Sequence, residues 1–236
     1  PYEAVKTNIL GPENIVRVIS ESKLPVETVV GISTDKACKP VNVMGMTKAI
    51  QERIFISANI SCPDTRFICV RYGNILASRG SVIPLFLEQI RSGGPVTLTT
   101  TEMTRFLLTL DYAVDIIFEA VKEALPGQTF IPKVPSAKVA DIADILIGDR
   151  QIEKKQIGIR PGEKTHEILI SEEETYRTLE RENYYIIDPI LPELRAERKE
   201  PGGLTEEYSS ADNVTDKHNL KSFLEKMNLD QYFKAP

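Results

Sequence analysis

Cysteine, histidine and long apolar runs are scarce in this chain of 236 residues, and each scarcity removes a class of function. The three cysteines, Cys38, Cys62 and Cys69, are odd in number and scattered, while His166 and His218 stand alone. Neither a disulfide framework nor a zinc site is indicated, a reducing compartment fits, and the histidines read as structural. The apolar stretches from Thr28 to Ile32 and from Ser81 to Leu87 fall far short of the roughly 20 residues that a membrane-spanning helix requires. Blocks of Lys and Arg are missing too. With a net charge of −5 and a pI near 5.3, the chain is a poor nucleic-acid partner. It opens on Pro1-Tyr2-Glu3-Ala4 without an initiator Met, a basic n-region or an apolar signal core, and reads as a fragment or processed piece. None of the 13 glycines falls in the G-x-G-x-x-G spacing that opens a dinucleotide-binding half. What remains, 42% hydrophobic and 27% charged, is the composition of an ordinary globular protein with one large or two small domains.

Helical and strand periods alternate along the chain. Ala4, Val5, Ile9, Ile15, Val16 and Ile19 recur at helical spacing, with a kink or restart expected at Gly11-Pro12. The Val-rich run from Pro25 to Thr34 reads as a buried strand, Asn42 to Ile56 as a helix and Thr65 to Tyr72 as a second buried strand, which is a βαβ signature. Beyond it the pattern predicts a helix over 82–91, a turn at Gly93-Gly94-Pro95 and a β-rich run over 96–100. An amphipathic helix then carries Ala113, Ile116, Ile117, Ala120 and Val121 on one face, with Gly127 as its stop signal. A strand over 128–132, a helix over 139–147, short strands over 156–160 and 184–187, and a terminal helix over 219–227 complete the pattern. Residues 188–206, rich in charge, Pro and Gly, read as an exposed loop, and no internal repeat is present.

In an open parallel α/β sheet, ligands bind beyond the carboxyl ends of the strands, and Ser33-Thr34-Asp35-Lys36 stands at such an end. Asp35 beside Lys36 is, as a dipeptide, equally a solvated ion pair with no task. Met44 follows eight residues after Lys36 and Lys48 four residues later, so one helix face presents both toward the same strand ends. One acid and two lysines converge there.

The stretch from Ser33 to Lys48 (STDKACKPVNVMGMTK) resembles the active-site segment of extended short-chain dehydrogenase/reductases, specifically the inverting UDP-N-acetylglucosamine 4,6-dehydratases and related polysaccharide-biosynthesis proteins. The resemblance continues through residues 1–11, 71–86, 102–111, 130–138 and 160–171, and more weakly through 184–189 and 207–210, so it covers nearly the whole chain. It implies an α/β fold made of the C-terminal part of a Rossmann-like doubly wound parallel sheet plus a smaller α/β substrate domain. Residues 1–74 would form the truncated NADP-binding half with the catalytic loop. Residues 75–236 would be mainly the nucleotide-sugar domain, with 111–132 returning to the sheet. Roughly three βα units, on the order of 90 residues, would precede the chain, which accounts for the missing glycine-rich turn.

The resemblance also implies a lyase that holds NADP and dehydrates a UDP-N-acetylhexosamine. Hydride leaves carbon 4, the ketone acidifies carbon 5, a base takes that proton, an acid protonates the carbon 6 hydroxyl, and hydride returns to carbon 6. Such an elimination needs an acid and a base in reach of one sugar face. Carried over residue by residue, Asp35 is the acid and Lys36 the base, next to Thr34. Lys36 must then lose its proton through desolvation or a neighbouring positive charge, a part that Lys48 would fill. Lys48, Asn8 and Tyr72 belong to the cofactor side, with Lys48 on the nicotinamide ribose. Asn8 orients the active-site Lys through its backbone or a water, since Pro12 leaves the Asn8 carbonyl without its helical partner. Asn74, Arg105, Arg160 and Glu163 belong to the substrate, because Arg forks suit a diphosphate and a carboxylate suits ribose hydroxyls. No metal is implied. Met44 is the departure: most short-chain dehydrogenases carry Tyr there, and a thioether cannot deprotonate a hydroxyl, so Asp35 or Lys36 would double as the base for oxidation at carbon 4. The family also implies a homo-oligomer, and nucleotide-sugar metabolism a cytoplasmic location. Two other readings stay open: a UDP-sugar 4-epimerase of the same superfamily, and a non-catalytic binding module.

Overall fold

The two strands of the βαβ unit pair in parallel because the helix between them returns the chain to the same end of the sheet. In the computed structural model, which describes residues 1–76, 78, 81–195 and 203–227, the contacts divide the chain into two units. The first comprises Pro1–Tyr72, Asp111–Lys133 and Ile168–Tyr208, and the second Gly73–Leu110, Val134–Glu167 and Ser209–Pro236.

In the first unit, the opening helix runs through a π-helical turn at Lys6–Leu10 before α1 (Gly11–Ser22). The kink expected at Gly11-Pro12 takes this form because Pro12 has no N–H for the Asn8 carbonyl, and the Gly11 N–H bonds the Lys6 carbonyl five residues back instead. β1 (Thr28–Thr34) follows, then α2 (Val43–Ser61), capped by the Asn42 side chain accepting from the Gly45 N–H, and then β2 (Arg66–Tyr72). The β1–β2 register runs from Thr28 beside Arg66 to Thr34 beside Tyr72. Alternate β2 side chains enter different layers. Phe67 and Cys69 pack with Ile19, Phe55 and Ala58 of α1 and α2, whereas Ile68 and Val70 pack with Ile116 and Ala120 of α3 (Leu110–Glu123). Gly31 lets α2 lie close on β1, since a Cβ there would meet the Phe55 ring at 2.5 Å. Arg66 closes the far end of α3, donating to the Val121 and Ala124 carbonyls.

The sheet continues from β2 into parallel β3 (Thr129–Pro132), and then, antiparallel, into β5 (Tyr184–Ile187) and β4 (Thr178–Glu180), in the order β1-β2-β3-β5-β4. It is therefore mixed rather than wholly parallel. Pairing of β5 with β3 also returns Ile168–Tyr208 to this unit, where the sequence reading kept that segment with the substrate domain. The expected loop 188–206 begins buried, with Asp188 accepting from Gln128 Nε2 at 2.9 Å, and its residues 196–202 lie outside those described.

The second unit packs the helices Val82–Arg91, Val139–Ile147 and Lys217–Lys226 on short strand pairs, around a core that includes Phe86, Leu98, Ile142 and Leu220. Lys154–Gln156 pairs in parallel with Val96–Leu98, so the strand expected over 156–160 lies earlier; its exposed side chains carry no apolar alternation that would mark it. Thr104–Phe106 pairs antiparallel with Ser136–Lys138.

Candidate active site

At the carboxyl end of β1 the chain turns from strand into a short 3-10 turn, Asp35–Ala37. Thr34, still extended, starts that turn: its Oγ1 accepts from the Lys36 N–H and donates to Asp35 Oδ1 at 2.8 Å. Lys36 Nζ donates to the same Oδ1 at 2.9 Å, with its side chain 26% exposed. Asp35 is 1% exposed, and its other oxygen, Oδ2, has no hydrogen-bond partner. A buried carboxylate oxygen left this way is costly, and a hydroxyl or protonated group brought to it would remove the cost.

α2 reaches the loop through Gly45. A Cβ on Gly45 would stand 2.1 Å from the Lys36 carbonyl oxygen, so the first helical turn touches the backbone of the loop directly. Met44 precedes it and is 42% exposed. Lys48 Nζ donates to the Ile32 carbonyl at 3.0 Å and to Gln51 Oε1 at 2.9 Å, which ties this lysine to the end of β1. Burial lowers the Lys48 ammonium below its ordinary value, against the opposing influence of Cys69 and Glu52. Lys48 is thus held on the end of β1, and Lys36 Nζ donates to the Asp35 carboxylate. Asn8 is buried in the π-helical turn and donates to Thr47 Oγ1 at 3.0 Å, which in turn donates to the Met44 carbonyl. Its contact with α2 is through the side chain, next to Lys48. Tyr72 ends β2 and is half-buried, which raises its phenol above the ordinary value.

Behind the loop lies a network that the sequence reading missed. Arg71, 3% exposed, grips Glu52 by a fork (Nε–Oε1 2.9 Å, Nη2–Oε2 2.7 Å) and Glu174 by another (Nη1–Oε2 2.7 Å, Nη2–Oε1 3.0 Å), and donates to the Leu169 carbonyl at 2.8 Å. Ser33 Oγ donates to Glu52 Oε1 at 2.5 Å, and Arg177 Nη2 to Glu174 Oε1 at 3.2 Å. Burial alone would raise the Glu174 carboxyl, but the charge and hydrogen bonds of Arg71 outweigh it and hold it at about 2. A signal was present: an arginine within the buried strand FICVRY must find carboxylates, and Glu52 lies one helical turn beyond Lys48. A cavity of about 500 Å³ opens beside the network, lined among others by Cys38, Lys39, Arg53 and Glu174.

In the second unit, Glu163 Oε2 accepts from the Arg160 N–H at 3.3 Å and from Thr99 Oγ1 at 3.4 Å, which folds the 160–163 turn on itself while the Arg160 side chain stays exposed. Arg105 donates to the carbonyls of Thr104, Lys164 and Thr165 and faces Glu167 at 3.8 Å, so its guanidinium shapes the 164–167 segment. His166 Nδ1 meets Thr104 Oγ1 at 2.8 Å, which fits its structural reading. Asn74 is exposed just beyond β2. Among the described residues no group of His, Cys, Asp and Glu is placed to hold a metal ion, and no helix is long and apolar enough to cross a membrane.

The same segments carry the likeness to known proteins. The chain is 46% identical over 200 residues to an uncharacterised membrane protein of Methanocaldococcus jannaschii, which covers 80% of this chain and 60% of that protein. It is 42% identical over 194 residues to a UDP-N-acetylglucosamine 4,6-dehydratase (inverting) of Campylobacter jejuni, covering 81% of this chain and 57% of the relative. With a UDP-glucose 4-epimerase of Rickettsia massiliae the identity is 38% over 240 residues, covering 98% and 67%. The chain therefore spans less than two thirds of the length of the first two relatives. Among solved structures, Pen from Bacillus thuringiensis superposes with a TM-score of 0.85 at 36% identity, over 97% of this chain and 70% of that one. A family model described as polysaccharide biosynthesis protein matches residues 1–189, a span that holds the Thr34–Asp35–Lys36 turn, the α2 lysine and the Arg71 network together, and the chain belongs to that family.

Proposed function

We propose that this chain is the catalytic-loop and substrate-domain part of a nucleotide-sugar 4,6-dehydratase acting on a UDP-N-acetylhexosamine. The observation that carries the reading is Asp35: a buried carboxylate with one oxygen bonded by Thr34 and Lys36 and the other, Oδ2, buried without a partner and so lacking a hydrogen-bonding group. A sugar hydroxyl is such a group, and a proton held on Oδ2 is the one the departing carbon 6 hydroxyl takes. Once the pair has passed its proton from Lys36 to Asp35, Lys36 Nζ, 2.9 Å from that carboxyl group, is a free amine that removes the carbon 5 proton, so acid and base act from adjacent residues. A nicotinamide cofactor, NADP in this reading, would supply hydride removal at carbon 4 and its return to carbon 6. Lys48, with burial lowering its ammonium, and Tyr72 suit the nicotinamide-ribose side, and Asn8 steadies α2 beneath them through Thr47. None of the 13 glycines of this chain falls in the spacing of the turn that cradles such a cofactor's phosphates. Arg160 and Glu163 would meet the nucleotide, with Asn74 on the sugar side and Arg105 acting through the segment it shapes.

The test joins this chain to the leading segment of the Campylobacter jejuni relative and follows UDP-N-acetylglucosamine by mass spectrometry with NADP present. Loss of one water, abolished by Lys36→Ala together with solvent exchange at carbon 5, is expected. The similar identity to UDP-glucose 4-epimerases favours a second reading, 4-epimerisation. An isomer formed at unchanged mass would establish it in place of dehydration.

A further inference from the structure

The segment that carries Asp35 and Lys36 borders the 500 Å³ cavity with Ala37, Cys38, Lys39 and Pro40, so its packing on that side is incomplete. Polar bonds tie it down on either side of the pair. Ser33, two residues before Asp35, donates to Glu52; Cys38, two residues after Lys36, approaches Glu174 with its Sγ at 3.9 Å. Glu52 and Glu174 are both gripped by the one guanidinium of Arg71, whose five bonds use every donor it has. Glu52 lies on α2 one turn past Lys48, and Glu174 lies in a 3-10 turn, Glu172–Arg177, that is itself fixed by a capping box with Ser171. One planar fork therefore sets the strand end, the lysine helix and the far side of the loop relative to each other.

A buried carboxylate–guanidinium–carboxylate triad is not needed for stability, since apolar residues of the same volume commonly serve equally well or better. They would lack direction, whereas a guanidinium fork fixes both carboxylates in its plane. We propose that Arg71 and Glu174 are positioning residues that hold the Asp35–Lys36 pair and the Lys48 helix in register. This rests on the reading of Asp35 and Lys36 as the reacting pair.

The test uses the full chain with two substitutions. Glu174→Gln keeps the shape and removes the charge, and Arg71→Lys keeps the charge and removes the fork. Each is expected to speed amide exchange of residues 35–39 by about tenfold or more while β2 and β3 amides change by less than about twofold. Labelling of Cys38 by a neutral maleimide should rise in step, with Cys69 unlabelled. Arg71→Ala should behave likewise and regain protection of 35–39 when guanidinium ion is added at non-denaturing concentration. Unchanged exchange at 35–39, or an equal rise across the whole sheet, overturns the proposal; should Arg71→Lys not fold, Glu174→Gln decides on the same readouts. In the joined enzyme, both substitutions should lower kcat more than they change KM. The exchange readout needs no turnover, so a silent dehydratase assay with the loop released by Glu174→Gln would fault the reaction assigned above and leave the positioning role standing.

Discussion

Replacing Gly45 by alanine puts a methyl group 2.1 Å from the Lys36 carbonyl oxygen and 3.2 Å from Pro40 Cβ. The first of these is backbone, so no side chain can swing aside, and restoring ordinary contact separates α2 from the loop by about 1 Å. In an open helical position the same exchange would gain roughly 0.8–1 kcal/mol from helix propensity. Forcing the methyl into filled space costs about 1–3 kcal/mol, so the net loss is about 1 kcal/mol, or about 2–4 °C in Tm for a chain of this size. The effect on chemistry is larger, because misplacing reacting groups by about 1 Å can cost on the order of 10²-fold in rate. Gly11→Ala is the control: its backbone is helical (φ −59°) and the nearest atom to a new Cβ is 3.6 Å away, so it should raise Tm. Circular-dichroism melts, amide exchange at Lys36 and Ala37, and turnover by the joined enzyme would be measured for both variants. If Gly45→Ala raises Tm as Gly11→Ala does and leaves loop exchange and turnover unchanged, the direct helix-to-loop contact is refuted.

Two predictions concern protons. Glu174 has a folded value of about 2 against an ordinary 4.5, so it binds fewer protons folded than unfolded between those limits. Its contribution to stability is present above pH 4.5 and is lost as the pH falls toward about 2. Urea midpoints measured across that range should fall less steeply for Glu174→Gln than for the wild type, and equal slopes would rule the assignment out. For Lys48, lowered by burial, NMR of the Nζ resonance should show a titration midpoint below the ordinary 10.5, with stability rising as the pH climbs through the interval between the two. A midpoint at or above 10.5 would mean that the amine is not desolvated as described.

Elements with a strong period were legible before any coordinates. The helices over 82–91 and 139–147 and the strand over 184–187 keep the predicted bounds, because each shows its apolar face in a continuous run. Pro12 announced its kink through a missing N–H. Lys154–Gln156 was illegible: its residues are strand only because Val96–Leu98 offers an edge, and nothing in KKQ marks that. Nor does spacing in sequence connect Arg71 with Glu174, whose separation of 103 positions is closed by the β3–β5 pairing.

Local chemistry, then, was written in the chain itself. The adjacency of Thr34, Asp35 and Lys36, the helical step from Met44 to Lys48 and the alternation within β2 follow from covalent order and the periods of strand and helix. Tertiary structure decided what those groups experience. It gave one oxygen of Asp35 two donors and buried the other without a partner, turned Lys48 onto the Ile32 carbonyl, and brought Glu174 to Arg71. Burial, hydrogen bonding and charge proximity depend on contacts between segments distant in sequence, and only the folded chain brings those segments together.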